Sequence, residues 1–304
     1  MLYLLIILSH LAVVLADDDK TFALKYLDQY HYISPTRSGT HDVNKAIKNF
    51  QQYFHLPVSG KLDEATVGLM KKSRCGVSDE EGGARRRRYV TVGNWGKTNL
   101  TYYVDYGDDL GKQVQDRIFY KAFQFWADVS MVTFTQVDSP KKADIKISFG
   151  YKSHDGTTGE HMCAYPFDGE GGVLAHAYFP DDGRAHFDEA ERFTHESLDG
   201  TDLLWVATHE FGHSLGLEHT NIEGAVMYPY YNGYKPNMKL HSDDIAGIQS
   251  LYGAPQKTNP TKQPLTTPVC KDKLEHCPAY KNANYCSIYK EEMSYWCAKT
   301  CGLC

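Results

Sequence analysis

The feature that most constrains the fold of this chain is a short run that places three histidines around a glycine. His209 and His213 are four residues apart, so on a helix they project from one face and can share a metal ion. Gly216 allows the chain to leave that helix and turn back, which brings His219 to the same ion. Three imidazoles with one open position describe a catalytic Zn²⁺ site rather than a structural one.

Glu210 lies beside this predicted metal centre without being used as a ligand. A carboxylate there can take a proton from the zinc-bound water, whose pKa the metal lowers, and later pass it to a departing amine. Met227 follows the third histidine by eight residues and makes the motif highly specific. The alternative is that these histidines are ordinary surface or core residues of a helix.

The eight cysteines are unevenly distributed along the chain of 304 residues. Six lie within residues 270–304, which is typical of an oxidising compartment, and Cys75 and Cys163 have no obvious partner. Residues 1–16 are largely apolar and end in small residues, which predicts a signal peptide; the alternative is an uncleaved anchor. We therefore expect a secreted protein without a membrane span.

Four consecutive arginines occupy residues 85–88. In an exposed loop of a secreted protein this run suits cleavage by a proprotein convertase, and the alternative is a solvated basic patch. The whole chain carries 32 basic and 38 acidic residues, a net charge of −6 at pH 7. That balance argues against a nucleic-acid-binding protein.

The sequence pattern changes several times along the chain. Residues 20–75 have helical periodicity, whereas strand and helix patterns alternate after Tyr89, as in an α+β domain. One long helix is predicted over 112–129, with its apolar face formed by Val114, Ile118, Ala122, Phe125 and Val129. The predicted division is a signal peptide (1–16), a propeptide (17–88), a catalytic domain (89–253), a Pro/Thr-rich linker (254–269) and a disulfide-rich domain (270–304).

The histidine motif and the segment Ala225-Val226-Met227-Tyr228-Pro229 resemble the zinc site and Met-turn of the matrixins, the matrix metalloproteinase family of the metzincins. Upstream, Lys72-Ser73-Arg74-Cys75-Gly76-Val77-Ser78-Asp79 is similar to the matrixin cysteine switch. The resemblance implies that the Cys75 thiolate takes the fourth zinc position of a latent proenzyme, as a soft sulfur ligand can. Ser73 and Ser78 stand where the family has proline, so we expect a less stiff loop and leakier latency. The implied fold is a helical propeptide, a twisted five-stranded sheet with three helices, and a small disulfide-rich domain.

The resemblance also covers a second, structural zinc site. His161, His176 and His186 match three histidine positions of the family. The family's fourth ligand is an aspartate, and Cys163 stands at that position here. Because cysteine is itself a good zinc ligand, we interpret the site as three histidines and one cysteine. The alternative is that Asp155 completes the site and Cys163 is merely buried.

A structural Ca²⁺ site is implied by the same resemblance, with oxygen ligands on loops around glycines. Its ligands would be the carboxylates and carbonyls of Asp168, Gly169, Gly171, Val173, Asp188 and Glu191. Asp109 and Glu189 are candidates for a further Ca²⁺ site, together with Glu191. For Asp109 the alternative is a solvated surface carboxylate.

The substrate cleft is predicted from neighbouring segments. Leu174 and Ala175 lie in an expected edge strand beside the metal, which can pair with an extended peptide by strand addition. Pro229 and Tyr231 would form the opposite wall of the pocket. Trp205 matches a position of the family that sets the depth of this pocket. We therefore expect a preference for substrates with a modest apolar side chain after the scissile bond. The alternative is that Trp205 is an ordinary core residue.

The cysteine spacing of residues 270–304 resembles the ShK-toxin-like domain. Six cysteines allow 15 pairings from sequence alone. The resemblance implies the pairs Cys270–Cys304, Cys277–Cys297 and Cys286–Cys301. Asn99 begins a glycosylation sequon within a predicted strand.

Together these features predict a secreted, monomeric zinc endopeptidase made as a latent zymogen. The family resemblance implies extracellular matrix or other extracellular protein substrates, Zn²⁺ and Ca²⁺ as cofactors, and inhibition by tissue-inhibitor-type proteins. One alternative is an astacin-like metzincin, against which Thr220 stands where astacins have glutamate. Another is a non-enzymatic binder or channel modulator acting through the tail, against which the intact Glu210 argues.

Overall fold

The computed structural model describes residues 18–33, 42–79, 91–154, 163–255, 270–272, 277–288, 290, 293–294 and 297–304. The predicted signal peptide, the arginine run, Asp155 and His161 lie outside these residues. The chain divides into two compact units, Met1–Pro255 and Gln256–Cys304. The first unit joins the predicted propeptide and catalytic regions.

The N-terminal region is helical, as the sequence pattern predicts. Helix α1 covers 18–29, α2 is Val43–Tyr53 and α3 is Glu64–Met70. Asp42 and Asp63 cap α2 and α3 by accepting hydrogen bonds from backbone N–H groups three residues later. The helices bury an aromatic cluster in which Phe50 meets the ring of Tyr26 edge-on, with centroids 5.6 Å apart.

A six-stranded sheet forms the centre of the first unit. Its strands are β1 (Arg74–Cys75), β2 (Asn99–Val104), β3 (Thr133–Gln136), β4 (Ile145–Gly150), β5 (Val173–Ala177) and β6 (Arg184–Asp188). Their order is β1-β5-β6-β4-β2-β3, and every pairing is parallel except that of β5 with β6. The catalytic region therefore contributes five strands, as predicted, and the N-terminal region adds β1 beside β5. A second small sheet pairs β7 (Phe193–Thr194) with β8 (Thr201–Asp202).

Three helices accompany the sheet: α4 (Lys112–Ala127), α5 (Leu203–Ser214) and α6 (Ser242–Tyr252). Trp126 and Phe123 of α4 are fully buried, and Phe123 stacks on Phe211 of α5 with centroids 3.9 Å apart. Val114 and Phe125, which the pattern places on the buried face, lie at the margin of this core. The large rings take the centre because they bury more apolar area. The α+β class predicted from the sequence is confirmed.

The second unit is small and cross-linked. It contains α7 (Cys277–Asn282), α8 (Tyr285–Ile288) and α9 (Ala298–Cys301). Its three disulfides have the pairing that the ShK resemblance implies: Cys270–Cys304, Cys277–Cys297 and Cys286–Cys301. Across the described residues of both units, the helices are too short or too polar to cross a bilayer.

Candidate metal centres and substrate cleft

Helix α5 presents the first metal-binding cluster. His209 and His213 project from its buried face, and Gly216 then adopts a φ of 102°, which only a glycine tolerates easily. A Cβ at Gly216 would collide with the backbone oxygen of Gly93. The turn brings His219 back, so that the three Nε2 atoms lie 3.1–3.2 Å apart.

Each histidine of this cluster is oriented through its other ring nitrogen. His209 Nδ1 lies 2.6 Å from the Val226 carbonyl, and His213 Nδ1 lies 2.7 Å from the Leu217 carbonyl. These contacts fix the tautomers, so the Nε2 lone pairs converge on one point. Burial lowers the pKa of His209 and His213 well below the usual range. The imidazoles are therefore neutral, which is the form that binds a metal.

The Met-turn lies directly below the cluster. Met227 is buried, and a Cβ at Gly212 would collide with its sulfur, so this glycine of the motif makes room for the turn. Asp244 of α6 accepts hydrogen bonds from the backbone N–H groups of Val226 and Met227 at 2.9 and 3.1 Å. Sequence reasoning did not single out Asp244, although an acidic pair at the start of a helix is a typical signal of a capping role.

Cys75 and Glu210 complete the first cluster. The Cys75 sulfur lies 3.5 Å from His213 Nε2, and the four ligand atoms of the cluster all lie within 4.8 Å of one another. Burial raises the pKa of the Cys75 thiol, and the Glu210 carboxylate raises it further. A bound cation would favour the thiolate instead. Burial likewise raises the pKa of Glu210 to about 8.

A buried ion pair holds the Cys75 segment in place. The Arg74 guanidinium lies 3.6 Å from the ring centroid of Tyr30 and donates to both oxygens of Asp79 at 2.6 and 2.9 Å. The same carboxylate accepts a hydrogen bond from His219 Nδ1 at 2.9 Å. The N-terminal region thus supplies the outer partner of the third zinc histidine, a contact that no local sequence pattern predicts.

The second cluster contains His154, Cys163, His176 and His186, whose ligand atoms also lie within 4.8 Å of one another. His154 belongs to this cluster, and His161, which the sequence predicted as a ligand, lies outside the described residues. Its Nδ1 contacts the Lys152 carbonyl at 2.8 Å, and its ring stacks on Phe167, so Nε2 faces the cluster. Sequence reasoning did not assign His154 to this site; it lies four residues after β4, the strand that pairs with the strand carrying His186.

The electrostatics of the second cluster differ from those of the first. Burial alone would raise the pKa of Cys163, but hydrogen bonds from the three surrounding histidines hold it well below the usual range. Burial lowers the pKa of His176 to about 4 and also lowers that of His186. One cysteine sulfur and three imidazole nitrogens form a donor set that suits Zn²⁺.

The predicted Ca²⁺ ligands converge where the residues before β5 meet the end of β6. Asp168 accepts from Val173 N at 3.0 Å, Asp188 accepts from Gly169 N at 3.2 Å, and Glu191 accepts from Gly171 N. Burial raises the pKa of Asp168 and Asp188. Burial and then neighbouring carboxylates raise that of Glu191 to about 7, as expected for acids gathered without a cation.

The further predicted acidic residues bond to backbone groups. Asp109 accepts a hydrogen bond from the N–H of Phe193, and Glu189 accepts one from the N–H of Asp108, both at 2.7 Å. Asn99 is exposed at the start of β2, and its side-chain oxygen accepts a hydrogen bond from the Thr133 hydroxyl at 2.9 Å.

The predicted substrate cleft is occupied by the Cys75 segment. Gly76 N donates to the Ala175 carbonyl of β5 at 2.8 Å, and Cys75 N donates to the Pro229 carbonyl at 2.9 Å. Tyr231 on the same wall donates to the Ser73 carbonyl. An extended segment thus lies between the edge strand and the wall, where a peptide substrate would pair. Leu174, the other predicted residue of the edge strand, is buried.

Trp205 lies between the metal-binding helix and the wall of the cleft. Its ring stacks on His209 with centroids 5.4 Å apart and meets Tyr231 edge-on at 5.3 Å. The side chain is 4% exposed. Trp205 is therefore both a packed core residue and a neighbour of the predicted pocket.

The fold and the first cluster define a class: an α+β domain whose central helix and following turn offer three neutral histidines and an adjacent carboxyl group, as in metal-dependent hydrolases. Comparison with known families agrees. Residues 94–253 match the matrixin family, residues 22–70 match a putative peptidoglycan binding domain, and residues 269–304 match the ShK domain-like family. The chain belongs to the matrixins.

Individual relatives are similar over most of this chain. It is 40% identical to macrophage metalloelastase of Rattus norvegicus over 87% of its length, and 42% identical to interstitial collagenase of Sus scrofa over 85%. It is 39% identical to matrix metalloproteinase-19 of Homo sapiens over 75%. These matches cover 56%, 54% and 44% of the three relatives, so the chain spans about half the length of the curated proteins it matches.

Proposed function

We propose that this chain is a secreted zinc endopeptidase made as a latent zymogen, with its N-terminal region as the inhibitory segment and residues 270–304 as a docking domain. The observation that carries the proposal is the convergence of three oriented, neutral histidines beside the buried carboxylate of Glu210. The chain's membership of the matrixins supports it.

The first cluster fits Zn²⁺ because its donors are three imidazole nitrogens and one sulfur, all buried and all within 4.8 Å of one another. His209, His213 and His219 would hold the ion in the active enzyme, and Cys75 would be the fourth ligand in the latent form. When bound, Zn²⁺ supplies Lewis-acid chemistry, polarising a carbonyl and acidifying a water molecule.

Glu210 is the proton carrier of the proposed reaction. It sits on α5 between two ligand positions, and no hydrogen bond from the described residues engages its Oε2. We assign it the role of general base toward the attacking water and of general acid toward the departing amine.

The remaining donors have structural roles in this proposal. His154, Cys163, His176 and His186 would hold a second Zn²⁺, and the carboxylates of Asp168, Asp188 and Glu191 would hold Ca²⁺. Each group joins residues before or within β5 to β6 or to the residues just after it. The two ions would therefore fix the edge strand against which a substrate pairs.

The proposed substrates are extracellular proteins that bind in an extended conformation. The path now taken by the Cys75 segment, between Ala175 and Pro229, supports this mode of binding. Activation requires removal of that segment, which we assign to a proprotein convertase acting at residues 85–88. Inhibitors of the tissue-inhibitor type would compete for the same cleft.

The decisive experiment uses the full chain after cleavage at the arginine run. Glu210→Gln should lower kcat for a peptide substrate by about 10²–10⁴-fold, because it removes the proton carrier. Its zinc content should stay unchanged, since Glu210 is not a ligand. The matched control is Glu223→Gln, which removes an exposed carboxylate from the loop after His219. Equal hydrolysis by Glu210→Gln and the parent chain would contradict the proposal.

A further inference from the structure

A fifth polar side chain lies against the second metal cluster. Tyr178 follows strand β5, and its hydroxyl lies 3.1 Å from the Cys163 sulfur. The same sulfur lies 3.2 Å from His176 Nε2. The sulfur therefore has a hydrogen-bonding neighbour that belongs to no predicted ligand set.

The direction of this hydrogen bond follows from metal chemistry. A cysteine that binds a metal does so as a thiolate and has no proton to donate. The hydrogen between the two atoms must then come from the phenol, so Tyr178 donates and Cys163 accepts. Outer hydrogen bonds to a ligand atom orient it and tune its bond to the metal.

The phenol is itself held from two sides. Tyr178 N donates to the Arg184 carbonyl at 2.8 Å, and the Arg184 guanidinium lies 4.1 Å from the ring centroid of Tyr178. Two 2.7 Å hydrogen bonds to Asp182 fix that guanidinium. A cation over the ring face also makes the hydroxyl a better donor.

We propose that Tyr178 is a positioning residue of the second metal site, which donates a hydrogen bond to the Cys163 thiolate and slows the loss of the metal. Arg184 holds the phenol in the donating orientation. The inference rests on the proposed function in one respect, namely that the second cluster binds a Zn²⁺-like ion. The hydrogen bond from Tyr178 would explain how this site uses a cysteine thiolate as a ligand and stabilises its charge.

The test uses the full chain carrying Cys75→Ser and Glu210→Gln, so that Cys163 is the one cysteine outside the three disulfides and the chain cannot digest itself. Metal content is measured first. Zinc release to a chelator and the sulfur-to-metal absorption of the Co²⁺-substituted protein are then compared between this parent and its Tyr178→Phe variant. Tyr165→Phe is the matched control, because it removes the hydroxyl of an exposed neighbouring ring.

The parent should bind two zinc ions. Tyr178→Phe should release one of them about 10–100-fold faster and shift the Co²⁺ absorption to lower energy, because the thiolate regains charge. Tyr165→Phe should match the parent, and Arg184→Met should lie between the two. Far-ultraviolet circular dichroism checks that each variant is folded.

Identical release and absorption in Tyr178→Phe and the parent would overturn the role of Tyr178 and leave the second metal site standing. A parent with one zinc ion and no sulfur-to-metal absorption would overturn both the second site and this inference. Peptide hydrolysis by the chain with Glu210 intact reports separately on the catalytic cluster, so the two failures are distinguishable.

Discussion

The two metal-binding clusters have the same donors, three histidines and one cysteine, and yet the two cysteines have opposite relations to their surroundings. Cys75 is separated from its histidine neighbour His213 by 138 positions, whereas Cys163 and His176 are separated by 13. Burial and a neighbouring carboxylate raise the pKa of Cys75, whereas three histidines hold that of Cys163 low. The two sulfurs therefore differ in the charged and hydrogen-bonding groups that surround them.

The difference teaches that donor chemistry alone does not separate a catalytic site from a structural one. The first cluster has its thiol on a segment of the N-terminal region, which precedes the arginine run at which we propose cleavage. The second has its thiol inside the loop that the site itself ties down. Removal of one segment opens the first cluster, whereas the second can open only by local unfolding.

The largest expected effect concerns the Cys75 sulfur, which we propose keeps the uncut chain latent. In the uncut chain, Cys75→Ser should raise peptidase activity by about a hundredfold, because the segment loses its sulfur–metal bond and the open fraction of the cleft rises by that factor. Cys163→Ser should leave the uncut chain latent and remove one zinc ion. Activity assays with an electrophoretic check that the chain stays uncut measure both. Peptidase activity in the uncut Cys163→Ser variant would contradict the proposed difference between the two cysteines.

The next effect concerns Asp79, the buried carboxylate that pairs with Arg74. Asp79→Asn leaves the Arg74 guanidinium without a full counter-charge, so the uncut chain should gain about thirtyfold in activity, equivalent to about 2 kcal/mol. Its matched control is Asp19→Asn, which breaks an exposed pair with Lys71 and should change little. Equal activity of the two variants would show that the ion pair does not maintain latency.

A smaller effect extends the comparison to the acidic loop. Burial raises the pKa of Glu191 to about 7, so without a cation the folded state loses stability as pH rises from the usual carboxyl range through 7. Calcium binds the ionised form, so its apparent affinity should be about tenfold higher at pH 8 than at pH 6. Thermal unfolding with and without Ca²⁺ at both pH values measures this. Glu191→Gln should flatten the pH dependence, and an unchanged pH dependence in that variant would contradict the assignment.

The smallest expected effect concerns the cleft wall. Trp205→Leu should open space beside His209 and shift kcat/KM by about fivefold, or about 1 kcal/mol, in favour of peptides with a long side chain after the scissile bond. Profiling with a peptide library measures the shift. A peptide with a short side chain at that position serves as the internal control. An unchanged cleavage profile would show that Trp205 packs in the core and does not set the depth of the pocket.

Much of the site could be predicted from local spacing. The distance of four residues between His209 and His213 and the glycine before His219 imply the first cluster, because both act through the geometry of one helix and one turn. The class of fold was predictable for a similar reason, since periodicity reports burial over a few residues.

Contacts between distant segments could not be predicted in the same way. His154 and Tyr178 reach the second cluster because β4, β5 and β6 align them, and no spacing rule encodes that register. The contact between Asp79 and His219 joins two regions separated by 140 positions. Such contacts depend on tertiary packing, which a single sequence does not display.

Tyr228 and Tyr230 belong to the aromatic cluster of the N-terminal helices, with the Phe54 ring 5.9 and 5.1 Å from theirs. Cutting the chain between residues 79 and 91 leaves all of these contacts intact. After the cut, the N-terminal segment binds the catalytic region as a separate molecule, so the bound fraction depends on protein concentration. In the proposed zymogen, the freed segment would then be an inhibitor that can dissociate. Activity should therefore appear on dilution of the cut protein rather than at the moment of the cut.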